Sequence, residues 1–268
     1  MRLHRFHIDD RELSPQAGVN SKFTITSPEI IHQIINVFRM KIGDQLIVFN
    51  GTGFDYECKI DNINRRSTIV SNSVISLTVL ESQRNNISQV RKLFLGAAVV
   101  KKDNFEWIVE KATELGVTDI IPIAAERSEK KALNEERLRK IAVEASEQSG
   151  RDTTPMVWPI MESGSAVSLL KKENPGVKIL AFHTEGNKFG SVSECHVCTD
   201  CACGQQTSRR RTDLVKGDLA VFIGPEGGWS PMEIEMFHRE NVEIVCLGSQ
   251  VLRAETAVVA ALSVVVFG

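Results

Sequence analysis

The spacing of apolar residues changes character near residue 90, and that change limits the chain to two kinds of folding unit. On the C-terminal side, the run Leu93–Val100 precedes a stripe of Phe105, Ile108, Ala112 and Leu115 at helical spacing. The same order of buried strand and amphipathic helix recurs to the end of the chain. Strands that alternate with helices pair in parallel and are covered on both faces, so this part predicts an α/β domain. On the N-terminal side, short apolar runs alternate with turn residues, which predicts a small β-rich domain. The 268 residues are enough for two cores.

In the N-terminal part, Asp44–Phe49 and Phe54–Ile60 flank Asn50-Gly51-Thr52-Gly53 and read as two strands joined by an Asn-Gly turn. Phe23–Thr26 and Ser67–Val70 read as further strands. Glu29–Phe38 has helical spacing, with Ile30, Ile31, Ile34 and Ile35 on one face. A β-barrel-like domain with one helix fits, ending at residue 75, and the polar stretch Leu80–Val90 is a last strand or a connector. Further along, Asp103 and Glu106 predict a capping box, and Gly116 the left-handed end of that helix. Strands are expected at Val117–Ile123, Met156–Trp158, Val177–His183, Leu219–Ile223 and Val242–Leu247. Helices are expected at Glu135–Gln148, at Ala166–Lys172 and after Ser230, where Pro231 and Glu233 complete a strong start signal. Ala254–Val266 is apolar on nearly every face, which places it in a core or a subunit contact. Gly186–Lys216 is too long and polar for a plain connection.

Two loops, each directly after a buried strand, carry the chemistry. Gly224-Pro225-Glu226-Gly227-Gly228 has three glycines that let a ligand approach the backbone closely. Ligands of open α/β sheets bind beyond the carboxyl ends of strands, where this loop falls. The same glycines also suit a tight strand-to-helix turn with no ligand. Gly-x-Gly-x-x-Gly is absent, and no Gly-Lys-Ser/Thr follows, so the loop is neither a dinucleotide fingerprint nor a P-loop. The lack of a phosphate-binding lysine and of a metal carboxylate cluster argues against a nucleotide kinase or phosphatase. The second loop, Leu247–Arg253, leads into Ala254-Glu255-Thr256-Ala257. Charges in the first turn of an apolar helix are costly unless paired or used. Arg253 and Glu255 are therefore either functional, or a capping pair in which the Glu meets its neighbour Arg.

Taken together, Phe222–Ser230 and Leu247–Ala257 resemble the C-terminal signature of the SPOUT methyltransferases, most closely the ribosomal RNA small-subunit methyltransferase E family. His4-Arg5-Phe6, Val37-Phe38-Arg39-Met40 with Gly43-Asp44, Lys101–Gly116 and Glu144–Arg151 agree, so the resemblance covers nearly the whole chain. It implies a PUA-like RNA-binding β-barrel over residues 1–75. It also implies a SPOUT domain over 76–268 with a parallel sheet and a trefoil knot; residues 186–216 are read as an inserted variable loop within it. The implied protein is a homodimer that uses S-adenosyl-L-methionine to methylate N3 of a uridine in 16S ribosomal RNA, presented as small-subunit RNA or as the assembled subunit.

The resemblance also implies site residues. The cofactor is expected against Gly224, Pro225, Glu226, Gly227 and Gly228, and against Leu247, Gly248, Leu252, Thr256 and Ala257. Phe182, His183 and Glu185 are expected as a further wall. Holding the methyl group and N3 in line supplies most of the catalysis of such a transfer. Arg253 is expected to stabilise the negative charge that develops as N3 loses its proton, and Glu226 to orient or polarise the site. Arg5, Arg39 and Arg151 fall in family motifs and are expected to contact phosphates; the plainer reading of each is a solvated charge. Two other readings stay open: a SPOUT enzyme acting on a different RNA, and a non-catalytic RNA-binding ribosome assembly factor.

A net charge of −2 excludes bulk electrostatic attraction to RNA and leaves that task to local patches. Met1–Ser14 has no signal-peptide character and Val258–Phe267 is too short to span a bilayer, so a cytoplasmic location without membrane contact is expected. Cys195, Cys198, Cys201 and Cys203 stand outside the family pattern. Such spacing suits zinc or an iron–sulfur cluster, but four sulfurs this close leave a tetrahedral site tight and no distant pair completes it. No metal site is assigned, and the insert is read as a variable reduced loop.

Overall fold

Burial of alternating residues organises the N-terminal sheet. In Ser73–Arg84 the side chains of Ser73, Ile75, Leu77 and Val79 are buried in turn, the period-two pattern of a half-buried strand. The computed structural model describes residues 3–9, 12–13, 17–65, 73–85, 91–128, 132–188 and 217–267. It divides into two compact units, Met1–Ser88 with Val143–Thr154, and Gln89–Ala142 with Pro155–Gly268. The boundary expected at residue 75 thus falls inside the strand Ser73–Arg84, whose buried alternation begins with the polar Ser73. The first unit also recruits a segment from far along the chain.

Unit 1 holds β1 (Arg5–His7), β2 (Lys22–Ile25), β3 (Gln45–Phe49), β4 (Phe54–Arg65) and β5 (Ser73–Arg84) in the order β1-β3-β4-β5-β2. β1 runs parallel to β3 and the other pairs are antiparallel. β3 and β4 form the expected hairpin, with Gly51 and Gly53 at φ +82° and +88°. Irregularities at Glu57/Cys58 and Ile60/Asn62 in the long β4–β5 ladder increase its twist. The expected helix is α1 (Pro28–His32) continued by a π-helical turn, Gln33–Val37. Ile31 and Ile34 are fully buried, against Phe6, Leu46, Tyr56 and Leu77 among others. The strand expected at Ser67–Val70 lies outside the described residues.

Unit 2 holds a six-stranded, wholly parallel sheet: β6 (Leu93–Ala98), β7 (Asp119–Ile123), β8 (Met156–Val157), β9 (Lys178–Lys188), β10 (Leu219–Ile223) and β11 (Glu243–Cys246), ordered β11-β9-β10-β6-β7-β8. Both faces of the central strands are buried. On β10, Leu219, Val221 and Ile223 enter one core with α2 (Lys102–Glu114) and α6 (Ala254–Phe267). Ala220 and Phe222 enter the other with α4 (Ser163–Glu173) and α5 (Pro231–Arg239). Continuous apolar runs are what a parallel sheet covered on both sides requires. The approach of β6 to β10 depends on Gly96, where a Cβ would lie 2.9 Å from the Phe222 ring. The remaining helix, α3 (Glu135–Ser149), starts in this unit and continues into the first; it buries Leu138, Ile141, Ala142 and Ala145, as its spacing predicts.

The start of α2 departs from expectation. Lys101, not Asp103, is the N-cap, and no side chain caps it. Glu106 faces Lys102 and Arg137 instead of closing a box. Asp103 stands in the first turn, where its charge still favours the helix dipole. Gly116 ends the helix at φ +93°, with Val117 N–H donating to Ala112 O and Gly116 N–H to Thr113 O. Among the described residues no helix is long and apolar enough to cross a membrane.

Candidate functional site

Three strand ends of unit 2 meet at one cleft. β9 supplies Phe182, His183 and Thr184, the loop after β10 supplies Gly224, Pro225, Glu226 and Gly228, and the segment after β11 supplies Leu247, Gly248, Gln250, Val251 and Leu252. Ile223, Ala254 and Ala257 complete the lining. The β9–β11 ladder jumps between Ile244 and Val245, from Ala181 to Asn187, so Phe182–Gly186 have no partner on β11. That break frees the end of β9 to wall the cleft.

The glycine loop is held from several sides. Gly228 N–H donates to Pro225 O at 2.8 Å, and Gly228 itself adopts φ +68°. A Cβ on Gly224 would lie 3.2 Å from the indole of Trp229, which is buried and donates Nε1–H to Phe182 O at 3.0 Å. Trp229 therefore ties the β10 loop to the end of β9. Beyond it, Ser230 caps α5 in the predicted reciprocal box with Glu233. Glu233 is buried and accepts from Ser230 N–H at 2.9 Å, Ser163 Oγ–H at 3.2 Å and Glu126 N–H at 3.4 Å. Three donors let this carboxylate sit away from water. On the outer side, Arg127 Nη1–H donates to Gly227 O at 2.8 Å, with its aliphatic stem against Gly227.

This cleft belongs to a chain with clear relatives. Residues 87–266 match the RNA methyltransferase domain family, and residues 25–71 match the RNA methyltransferase PUA domain. The chain is 34% identical over 250 residues to the ribosomal RNA small subunit methyltransferase E of Bacillus subtilis, covering 91% of this chain and 89% of that one. It belongs to the ribosomal RNA small subunit methyltransferase E family. The family's member from Rickettsia conorii is 29% identical, with 98% and 95% covered. Among solved structures, that of the Neisseria gonorrhoeae family member bound to S-adenosyl methionine has the same fold, at TM-score 0.77 and 23% identity, covering 98% and 96%. A crystal structure of a hypothetical protein matches at TM-score 0.73 and 29% identity, covering 97% and 96%.

Most residues expected from the family signature meet in the cleft: Phe182, His183, Gly224, Pro225, Glu226, Gly228, Leu247, Gly248, Leu252 and Ala257. Gly227 turns its carbonyl to Arg127, and Thr256 is exposed on α6 outside the lining. The backbone of Glu185 lies in β9, directly beyond the lining residue Thr184. Arg253 stands between the lining residues Leu252 and Ala254, with an exposed side chain, and its carbonyl accepts from Ala257 N–H at 2.8 Å to start α6. No ion pair joins it to Glu255 among the described residues; Glu255 accepts from Asn104 Nδ2–H at 3.5 Å instead. Thr184, Gln250 and Val251 fall within the segments expected to wall the cofactor, Phe182–Glu185 and Leu247–Leu252, whereas sequence reading missed Arg127. Arg127 lies in an unpatterned segment after β7, and only the fold brings it to the loop.

Unit 1 holds the family-motif arginines. Arg5 is half-buried, ion-paired to Asp55 through both guanidinium ends, donating to Arg151 O at 2.9 Å and stacked over Phe49 at 4.8 Å. Arg151 is 3% exposed, and burial pushes its guanidinium down to about 10. Both are engaged within unit 1, where the Arg5 bond to Arg151 O ties Val143–Thr154 to the sheet. Asn85 adds Nδ2–H bonds to Asp55 and Gly150 O, and Glu147 accepts from His7 N–H at 2.8 Å. Burial pushes the Glu147 carboxyl up to about 7. Arg39 is exposed, at φ +56°. The cysteine insert lies outside the described residues.

Proposed function

We propose that this chain transfers the methyl group of S-adenosyl-L-methionine to N3 of a uridine in small-subunit ribosomal RNA. The observation that carries the reading is the cleft at the ends of β9, β10 and β11, which gathers the family's two signature loops at one point. The cleft suits such a cofactor. Its lining is mainly apolar with a few polar groups, and Gly224 and Gly228 leave no side chain between loop and ligand. Peptide groups of Gly224–Gly228 and Leu247–Leu252 would hold the adenosine and methionine parts, and Phe182, Ile223, Leu247 and Leu252 would exclude water. Bound there, the cofactor supplies an electrophilic methyl group on a sulfonium.

The chain's own residues then act on the uracil. N3–H is a weak acid, so the site must favour its deprotonated form. Arg253, at the cleft edge, places a permanent cation where the uracil anion develops, and Glu226 at the mouth orients groups around the sulfonium. The N-terminal sheet, in this reading a closed PUA-like barrel, carries the RNA, and Arg39 is its phosphate contact. The segment after β11 belongs to a trefoil knot. The protein works as a cytoplasmic homodimer, with the apolar α6 near the subunit contact.

The test is methyl transfer from labelled S-adenosylmethionine to small ribosomal subunits, and to naked RNA, that lack native methylation, with the product nucleoside identified by mass spectrometry. The expected product is 3-methyluridine. Cofactor binding without transfer would redirect the search to another RNA. Absence of cofactor binding would favour a non-catalytic assembly factor.

A further inference from the structure

Unit 1 carries an exposed patch that the cleft chemistry does not use. Phe38 closes the π-helical turn, and Arg39 follows it in the left-handed region, at φ +56°. Around this reversal Ile34 and Met40 are buried while Val37, Phe38 and Ile42 stay outside, at 58%, 40% and 60% exposure. Phe38 is nonetheless held in place. Its ring lies 4.0 Å from the His4 ring at 35°, and it meets Phe6 edge-on at 5.6 Å. The exposed side chains of Arg39 and Lys41 alternate with these apolar groups, and neither has an ion pair or hydrogen bond among the described residues.

We propose that the His4–Phe38 pair is a stacking platform for an unpaired base of single-stranded RNA, with Arg39 and Lys41 taking the flanking phosphates. The inference rests on reading the chain as an RNA-modifying enzyme and assigns a second contact on the same substrate. A fixed aromatic face beside unpaired cations complements a strand that offers π faces and a negative backbone at once. A second copy of this chain fits poorly, because it would bring Arg39 and Lys41 against like charges.

The probe is a short uridine-rich single-stranded oligoribonucleotide with one 2-aminopurine, whose fluorescence falls when it stacks. The full chain is expected to bind and quench it. Phe38→Leu keeps apolar packing on Phe6 but removes the π face; it should lose the quenching and bind roughly tenfold more weakly. Phe38→Tyr should restore both. Arg39→Ala should weaken binding and lower the slope of log affinity against log salt by about 0.7. Calorimetric binding of S-adenosylmethionine should be the same in all three variants. Wild-type binding and quenching by Phe38→Leu would overturn the platform, as would a patch whose variants change only the sedimentation of the protein alone. Quenching lost in Phe38→Leu, with no methyl transfer by the wild type, would support the platform and sink the enzymatic reading instead.

Discussion

The two loops that wall the cleft are built on opposite principles. Gly224–Gly228 is braced by the buried Trp229 indole, by Arg127 on the Gly227 carbonyl, and by the capping box that Glu233 anchors to two further elements. Across the cleft, no hydrogen bond among the described residues ties Gly248–Leu252 to anything; Val251 is 78% exposed, and a Cβ on Gly248 would meet nothing within 4 Å. Segments with few contacts open at little cost, whereas well-anchored ones open only with the unit that holds them. One wall is thus held by contacts of the fold itself, and the other by few of them. In the proposed mechanism the second wall also carries Arg253, so the group nearest the chemistry sits on the less constrained side.

The contrast can be broken or sharpened by substitution. Arg253→Ala is expected to lower turnover about a hundredfold or more while cofactor affinity and melting temperature stay near wild type. Unchanged single-turnover rates would remove the arginine from the mechanism. Gly224→Val drives a side chain into the Trp229 indole and is expected to cost about 2 kcal/mol in urea unfolding, with cofactor binding lost. A fully stable, cofactor-binding variant would show that the braced wall is not braced by this contact. Arg127→Ala removes the clamp on Gly227 and should weaken cofactor binding about fivefold in calorimetry, with little effect on turnover at saturation. Equal affinity would reduce Arg127 to a surface charge. Gly248→Ala, in open space, should leave unfolding unchanged within about 0.5 kcal/mol and raise the cofactor Kd a few-fold. If affinity is also unchanged, the ligand does not approach this wall closely.

The same division separates what was readable in the chain from what was not. The α5 start was legible to the residue, because Ser230, Pro231 and Glu233 act within one turn. So was β10, whose five apolar residues face two cores. The box expected from Asp103 and Glu106 failed because Lys102 and Arg137, one a turn away and one on α3, took the carboxylate of Glu106. Of the strand Ser73–Arg84 only the end was read, with Leu80–Val90 left as a last strand or a connector, because its weakly apolar alternation runs into polar residues at Glu81–Arg84. The surroundings of Arg5 and Arg151 were not legible for a stronger reason: a guanidinium in solvent and one packed inside a unit look alike in sequence.

Local physics therefore determined the alternation of strands and helices, the capping box of α5 and the hairpin at Asn50–Gly53, since each depends on neighbours a few residues away, while the family resemblance singled out both cleft loops. Only the tertiary structure decided that Val143–Thr154 joins the first unit, that β9 leaves its ladder at Phe182, that Arg127 clamps Gly227, and which arginines remain exposed. Those outcomes depend on partners far apart in the chain, where burial and charge pairing are settled by what the fold brings within a few ångströms.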